Sequence, residues 1–194
     1  MTIFRGLKCG VIRSACADAD EAKQRFATVA EADSWLNTPF KDLQRAKGSG
    51  VDCAQFIVAC HQAAGVKGPL DDEEKKLLVA HSQQWHMQGE RELYVEGLSR
   101  YCHQVEVPDT GDIVLWRPPR WLSQRHSNAA LVIEWPRLAI GADFQAGVVY
   151  MDPAHDVQFV MAAKFHPHIF FSPWPTGGAL PIGKEYVVGE RACG

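Results

Sequence analysis

The sequence lacks the features that mark membrane proteins and nucleic-acid-binding proteins. Its 194 residues contain no run near the ~20 consecutive apolar residues that a membrane-spanning helix needs, and we predict no membrane span. Lys and Arg total 20 against 23 Asp and Glu, which gives a formal net charge of −3. Because no basic excess exists to hold a phosphate backbone, we do not expect DNA or RNA as a partner.

The sequence is also poor in paired cysteines. It has six cysteines but no Cys-x-x-Cys pair, which argues against a zinc ribbon and against a thioredoxin-type redox motif. We expect mostly reduced thiols, and neither a metal nor an organic cofactor. The first residues contain no clean apolar block, so they do not predict a secretory signal peptide.

Apolar residues make up 46% of the chain and charged residues 22%, which is typical of a globular protein. Helical periodicity comes first and short strand-like segments come second. This order predicts an α+β fold, with N-terminal helices packed on a central antiparallel β-sheet. We expect one domain over residues 20–172, an N-terminal extension over 1–19 and a C-terminal extension over 173–194.

The helical part has four predicted elements. One helix starts near Asp20 and ends before Pro39. A second, buried and central, has Asp52 as its N-cap and Gly65 beyond its end. Two more exposed helices follow over 71–85 and 90–102.

The second part has short β-branched segments separated by Pro, Gly and Asp, and these predict strands over 107–116, 129–135, 146–152 and 156–163, with a further edge segment over 166–174. The apolar positions of both parts predict a common core, which we expect to include Trp35, Phe56, Ile57, Cys60, Ile113, Leu115, Leu131 and Ile133.

Cys53 is the first candidate for chemistry. It directly follows the predicted N-cap Asp52, in the first turn of an otherwise apolar helix. Unpaired N–H groups and the helix dipole at such a position lower the pKa of a thiol, and we expect Cys53 to be the most reactive thiol. The alternative is a small buried side chain, like that of Cys60.

A thiol nucleophile needs a base. Of the eight histidines, His126 directly precedes a strong predicted strand, and a residue at a strand end can face a helix N-terminus packed across the sheet. The alternative for His126 is a solvated loop residue. The other histidines include His166 and His168, for which we expect structural roles, and a group expected at the surface: His61, His81, His86 and His103.

The residues around Cys53 resemble a known pattern. In NlpC-type, papain-like cysteine peptidases, a helix ending in Trp-Leu-Gly-Thr-Pro-Tyr leads through a glycine-rich loop to Asp-Cys-x-x-Phe, and a Pro-x-x-Gly-Asp-Ile strand follows. The first block is matched in order and spacing by Trp35, Thr38, Pro39, Phe40, Gly50, Asp52, Cys53 and Phe56, and the strand by Pro108, Gly111, Asp112 and Ile113. The resemblance covers residues 20–163 and is strongest to the versions encoded among bacteriophage tail genes.

The resemblance implies a papain-like fold and a Cys-His-Asp site with Cys53 as nucleophile, but the sequence departs from the family at the base. Asn128 stands where the family has His, and His126 lies two residues earlier, ~6–7 Å away in an extended strand. A bulge would bring His126 to the base position. Asp152 lies nearest to the family's third position, with His155 as its alternative.

By that resemblance the protein is a cysteine endopeptidase that cleaves peptidoglycan stem peptides, between D-glutamate and the diamino acid. The alternative is a structural or adaptor protein of a phage tail tip that keeps the fold without the activity, as Asn128 indicates. The lack of a predicted signal peptide fits both hypotheses, because tail proteins are made in the host cytoplasm before they join the virion tail. A place in the phage tail implies other tail proteins as partners.

Overall fold

The structure is a computed structural model that describes residues 12–13, 19–84, 91–117, 126–175 and 185–186. Helices precede a sheet of six antiparallel strands, which confirms the predicted α+β class. The helices in the described residues are α1 (Ala19–Asp33), α2 (Cys53–Ala63), α3 (Asp72–Gln84), α4 (Leu93–Leu98) and α5 (Val157–Phe165). None of these helices is long and apolar enough to cross a membrane.

The strands of the described residues form the main sheet and two small pairs. The main sheet has the order β4-β9-β5-β6-β7-β8, and the two-stranded sheets are β1-β10 and β2-β3. Their bounds are β1 (Ile12–Arg13), β2 (Arg45–Ala46), β3 (Gly50–Val51), β4 (His103–Val105), β5 (Ile113–Trp116), β6 (Asn128–Glu134), β7 (Leu138–Asp143), β8 (Gly147–Met151), β9 (Ile169–Ser172) and β10 (Glu185–Tyr186).

Both faces of the main sheet are covered, because successive side chains of a strand point to opposite faces. On β6, Ala129 and Leu131 pack with α1, α2 and α4 in the larger core. Ala130 and Val132 pack with α5 in a second core. All eight residues predicted for the core belong to the larger of these clusters.

Two predicted elements differ from the structure, and one observed strand was not predicted. Residues 156–163 form not a strand but α5, whose N-cap Asp156 accepts a hydrogen bond from the Gln158 backbone N–H. The predicted edge segment contains β9, which lies between β4 and β5 inside the sheet. Strand β7 lies in a stretch for which we predicted no strand.

A buried ion pair ties α1 to the sheet. The Arg25 guanidinium is 1% exposed and donates to Glu21 Oε1 and to Asp112 Oδ1, both at 2.8 Å. Arg25 also donates to the Thr110 carbonyl and stacks on the Trp174 ring. The Gly-Asp pair that precedes β5 therefore has a structural role, because Asp112 neutralises a cation that is out of contact with water.

We predict that Asp112→Ala destabilises the protein by about 3 kcal/mol, because it removes one of the two carboxylates paired with the buried Arg25 and leaves the Asp109 N–H without its acceptor. Urea unfolding measures this loss. The matched control is Asp20→Ala, which removes an exposed ion pair with Lys23 and costs about 1 kcal/mol or less. Equal effects of the two substitutions would contradict the account.

Two histidines that we predicted at the surface are buried. The His61 ring lies 3.4 Å from both the Tyr101 hydroxyl and the Gly111 carbonyl, and His81 packs against the Tyr94 ring. Burial lowers the pKa of each to about 4. His103 is exposed as predicted, and His86 lies outside the described residues.

The free energy of unfolding therefore falls as the pH falls from 6.5 toward 4. In that range the unfolded chain binds protons at His61 and His81 that the folded chain excludes, and each histidine costs about 2 kcal/mol by pH 5. Urea midpoints at pH 7.5 and pH 5 measure the loss. We expect His61→Gln to lose less stability over this range than the wild type, and a loss as large as the wild type's would contradict this explanation. His103→Gln controls for the removal of one exposed histidine.

Candidate active site

The loop before α2 is fixed to the far edge of the sheet. The Asn37 backbone N–H donates to the Val148 carbonyl, and the Val148 N–H donates to the Thr38 carbonyl. The Thr38 hydroxyl accepts from the Gly48 N–H, and the Pro39 carbonyl accepts from the Val51 N–H. The Asn-Thr-Pro motif thus ends the first helical segment and fixes the direction in which the chain enters α2.

Asp52 then caps α2 and places Cys53 at its first position. One carboxylate oxygen of Asp52 accepts from the Gln55 N–H at 2.8 Å, and the other accepts from the Leu43 N–H at 2.9 Å. The cap satisfies one of the helix's free N–H groups and fixes the preceding loop. This confirms the predicted N-cap and the predicted start of the central helix.

The Cys53 thiol lies between α2, α4 and the start of β6. It is 8% exposed, and its Sγ donates to the Ser127 carbonyl at 3.6 Å. Burial and the negative charge of Asp52 raise the Cys53 pKa to about 12, although the Ala129 N–H and the Tyr94 hydroxyl act in the opposite direction. The predicted lowering of this pKa is therefore wrong, because loss of water and the carboxylate of the cap outweigh the helix dipole.

His126 directly precedes Ser127, the residue whose carbonyl accepts from the thiol, and its side chain is bound by Glu92. Glu92 Oε2 accepts from the His126 backbone N–H at 2.9 Å and lies 3.3 Å from Nδ1 of the same residue. Glu92 Oε1 accepts from Arg117 Nη2 at 3.2 Å. The His126 Nε2 atom is buried and makes no hydrogen bond with any part of the chain that the structure describes.

The electrostatic surroundings of His126 favour a neutral ring. Burial, the largest effect, and the Arg117 cation lower its pKa, whereas Glu92 and the Pro167 carbonyl raise it. A neutral ring that donates its Nδ1 proton to Glu92 keeps a lone pair on Nε2. This is the form that can accept a proton from a thiol.

Two short segments, residues 92–94 and 126–127, provide the contacts of the Cys53 thiol and the His126 ring. Glu92 and Tyr94, two residues apart, contact His126 and Cys53 respectively. His126 and Ser127 are adjacent in sequence, and the Ser127 carbonyl accepts a hydrogen bond from the thiol. Within the described residues His126 and Cys53 make no hydrogen bond to each other: Nδ1 of the ring faces Glu92, and the thiol donates to the Ser127 carbonyl.

The other predicted candidates lie elsewhere. Asn128 is paired with Trp116 and lies on the α5 side of β6, whereas Cys53 packs with Ala129 on the opposite side. Asp152 follows β8, at the edge of the sheet, and its carboxylate lies 2.9 Å from Nδ1 of His155 and accepts from the Ala154 N–H. No hydrogen bond in the described part of the chain joins Asp152 or His155 to His126.

Two residues of the site, Glu92 and Tyr94, were not predicted. Both lie in a charged segment that the sequence pattern marks as an exposed helix. Their roles depend on contacts with Cys53 and His126, far away in the chain, and no local periodicity reports such contacts. Within the described residues, no group of three or more His, Cys, Asp or Glu side chains is arranged to hold a metal ion.

Comparison with solved structures finds proteins of the NlpC/P60 family. One is an NlpC/P60 family protein from Bacillus cereus ATCC 10987, with a TM-score of 0.45 and 13% identity over 78% of this chain. Another is the NlpC/p60 domain of peptidoglycan hydrolase SagA, with a TM-score of 0.40 and 17% identity over 76% of this chain and 96% of that domain. The alignment covers 39% of the Bacillus cereus protein, so this chain spans less than half of its length. No protein-family model and no curated protein matches the sequence.

We predict that Cys53 reacts slowly with iodoacetamide in the folded protein, because its thiol is buried and protonated near neutral pH. Tyr94→Phe removes a hydroxyl that favours the thiolate, and it should move the alkylation profile of Cys53 to still higher pH. Peptide-resolved mass spectrometry across a pH series, with the urea-unfolded protein as control, measures both effects. Rapid alkylation of folded Cys53 below pH 8 would contradict the prediction.

Proposed function

We propose that the protein is a papain-like cysteine peptidase that cleaves peptidoglycan stem peptides. The observation that carries the proposal is the placement of Cys53 at the N-terminus of α2, against the carbonyl of the residue that follows His126. The helix-on-sheet arrangement and the motif around Cys53 are consistent with a papain-like fold. The substrate class rests on the resemblance of that motif.

In the proposed reaction the Cys53 S–H gives up its hydrogen bond to the Ser127 carbonyl, and its proton passes from sulfur to Nε2 of His126. The sulfur then attacks a peptide carbonyl carbon of the substrate, and the backbone N–H of Cys53 donates to the oxygen that becomes negative. The imidazolium returns its proton to the leaving amine as the C–N bond breaks. Water, deprotonated by the neutral ring, then hydrolyses the thioester and releases the acid.

The high pKa of Cys53 sets the main requirement of this mechanism. A thiol with a pKa of about 12 does not ionise alone near neutral pH, so proton transfer to His126 has to accompany attack on the substrate. Nε2 of His126 makes no hydrogen bond to the described residues. His126 is next to Ser127, whose carbonyl accepts the hydrogen bond of the thiol. We propose Nε2 of His126 as the acceptor of the thiol proton. By the family resemblance, we propose the bond between D-glutamate and the diamino acid as the one cleaved.

A second candidate function is a structural or adaptor protein of a phage tail tip that keeps the fold. Two observations favour it: the thiol is held protonated by burial, and the family's base position carries Asn128 on the opposite side of β6 from Cys53. Its partners would be other tail proteins. This candidate predicts no turnover by the wild-type protein.

Purified peptidoglycan incubated with the protein distinguishes the two candidates. We expect the wild type to release stem-peptide fragments detectable by mass spectrometry. Cys53→Ala and His126→Ala should each lower the rate by about three orders of magnitude or more, because each removes one partner of the proton transfer.

Cys60→Ala is the matched control. It makes the same substitution in the same helix at a buried thiol, and it should reduce stability while leaving release intact. Release that persists in Cys53→Ala would overturn the proposed nucleophile. Absence of release by a folded wild type would favour the structural candidate.

A further inference from the structure

The Glu92 side chain binds His126 and does not cap its own helix. It occupies the N-cap position of α4, but its side chain makes no capping hydrogen bond there. Both carboxylate oxygens are directed elsewhere: Oε2 to the backbone N–H and Nδ1 of His126, and Oε1 to Arg117 Nη2. The Glu92 side chain is 24% exposed and is held by His126 and Arg117, which are both distant from it in sequence.

These contacts control the orientation and the tautomer of the His126 ring. The bond to the main chain fixes the backbone from which the ring projects, and the contact at Nδ1 favours the tautomer with its proton on Nδ1. The lone pair then lies on Nε2, which is buried and makes no hydrogen bond to the described residues. Arg117 holds the other carboxylate oxygen and so limits the rotation of Glu92.

We infer that Glu92 is the positioning residue of the proposed peptidase, acting on Cys53 through His126. The inference rests on the proposed function, and it gives to Glu92 the orienting role that the family resemblance implied for Asp152. The Asp152 carboxylate is bound in its own turn, to His155 and to the Ala154 N–H. Glu92 would also stabilise the imidazolium that forms when His126 takes the thiol proton.

Glu92→Gln tests the inference, because Gln keeps the size of the side chain and an oxygen that can accept from the His126 N–H but loses the charge. We expect kcat on stem peptides to fall about tenfold or more with little change in KM, since ring orientation and charge matter during proton transfer. The groups that act on the pKa of the ring are Glu92, Arg117 and the Pro167 carbonyl. Without the Glu92 charge the His126 pKa falls, so the acid limb of the kcat/KM profile should move to lower pH.

The second readout does not need activity. In NMR titrations of the folded protein, the His126 ring should titrate at lower pH in Glu92→Gln, and its ring nitrogens should show less of the Nδ1-protonated tautomer. Glu92→Asp keeps the charge and should hold the titration closer to that of the wild type. Glu96→Gln is the matched control: it removes the same charge from the same helix, where Glu96 is paired with Arg91 on the surface, and it should change neither readout.

The outcomes separate this inference from the proposed function. Hydrolysis that depends on Cys53, together with an unchanged kcat and His126 titration in Glu92→Gln, would overturn the role of Glu92 and leave the peptidase intact. A shifted titration in a protein whose folded wild type hydrolyses nothing would overturn the peptidase, and the catalytic role of Glu92 with it. A lower kcat in Glu92→Gln, with the acid limb of kcat/KM and the His126 titration both moved to lower pH and neither moved in Glu96→Gln, would support the peptidase and the role of Glu92.

Discussion

The contact between the N-terminus of α2 and the start of β6 is the constraint on which the site depends. Cys53 is buried there, and its thiol donates to the Ser127 carbonyl across the boundary between helix and sheet. The contact is possible because Asp52 fixes the first turn of α2 while the apolar face of the helix packs on Leu131. A shift of either element would leave polar groups of the main chain without partners in a dry environment.

Burial at this contact decides the electrostatics. The helix dipole acts as a partial positive charge at the N-terminus and favours a thiolate. The loss of water around the thiol and the nearby negative charge of Asp52 favour the neutral thiol more strongly. The raised pKa of Cys53 is the result. His126 is also held in its neutral form by burial. The described residues therefore hold a neutral thiol on α2 and a neutral imidazole on the residue before Ser127, and the proposed reaction would create the charges.

Local patterns predicted the parts of the fold that are locally determined. The cap Asp52 and the apolar stripe predicted α2, because both are properties of one turn or one face of a helix. The continuous apolar runs of β5 and β6 predicted core positions correctly. The strand β7 was missed because its Ala and Gly residues carry little strand preference, and α5 was predicted as a strand because its β-branched residues outweighed the Asp156 cap.

The candidate site was less predictable than the fold, because its contacts join distant segments. The motif around Cys53 marks the thiol, but nothing near Glu92 in the sequence indicates a bond to His126. Only the packing of α4 against the start of β6 brings the two together. The direction of a side chain could not be predicted from the motif either. Asn128 aligns with the histidine of the resembled family, but the alternation of side chains along β6 places it on the side opposite Cys53.

The most direct test of the account is to trap the covalent intermediate on Cys53. A stem peptide is mixed with the wild-type protein, the reaction is quenched in acid within the first turnover, and the digested protein is mapped by mass spectrometry. The account predicts an added mass equal to the acyl part of the substrate on the Cys53 peptide, absent from Cys53→Ala and diminished in His126→Ala. Turnover with no adduct at Cys53, or an adduct on Cys60 or Cys102 instead, would contradict it.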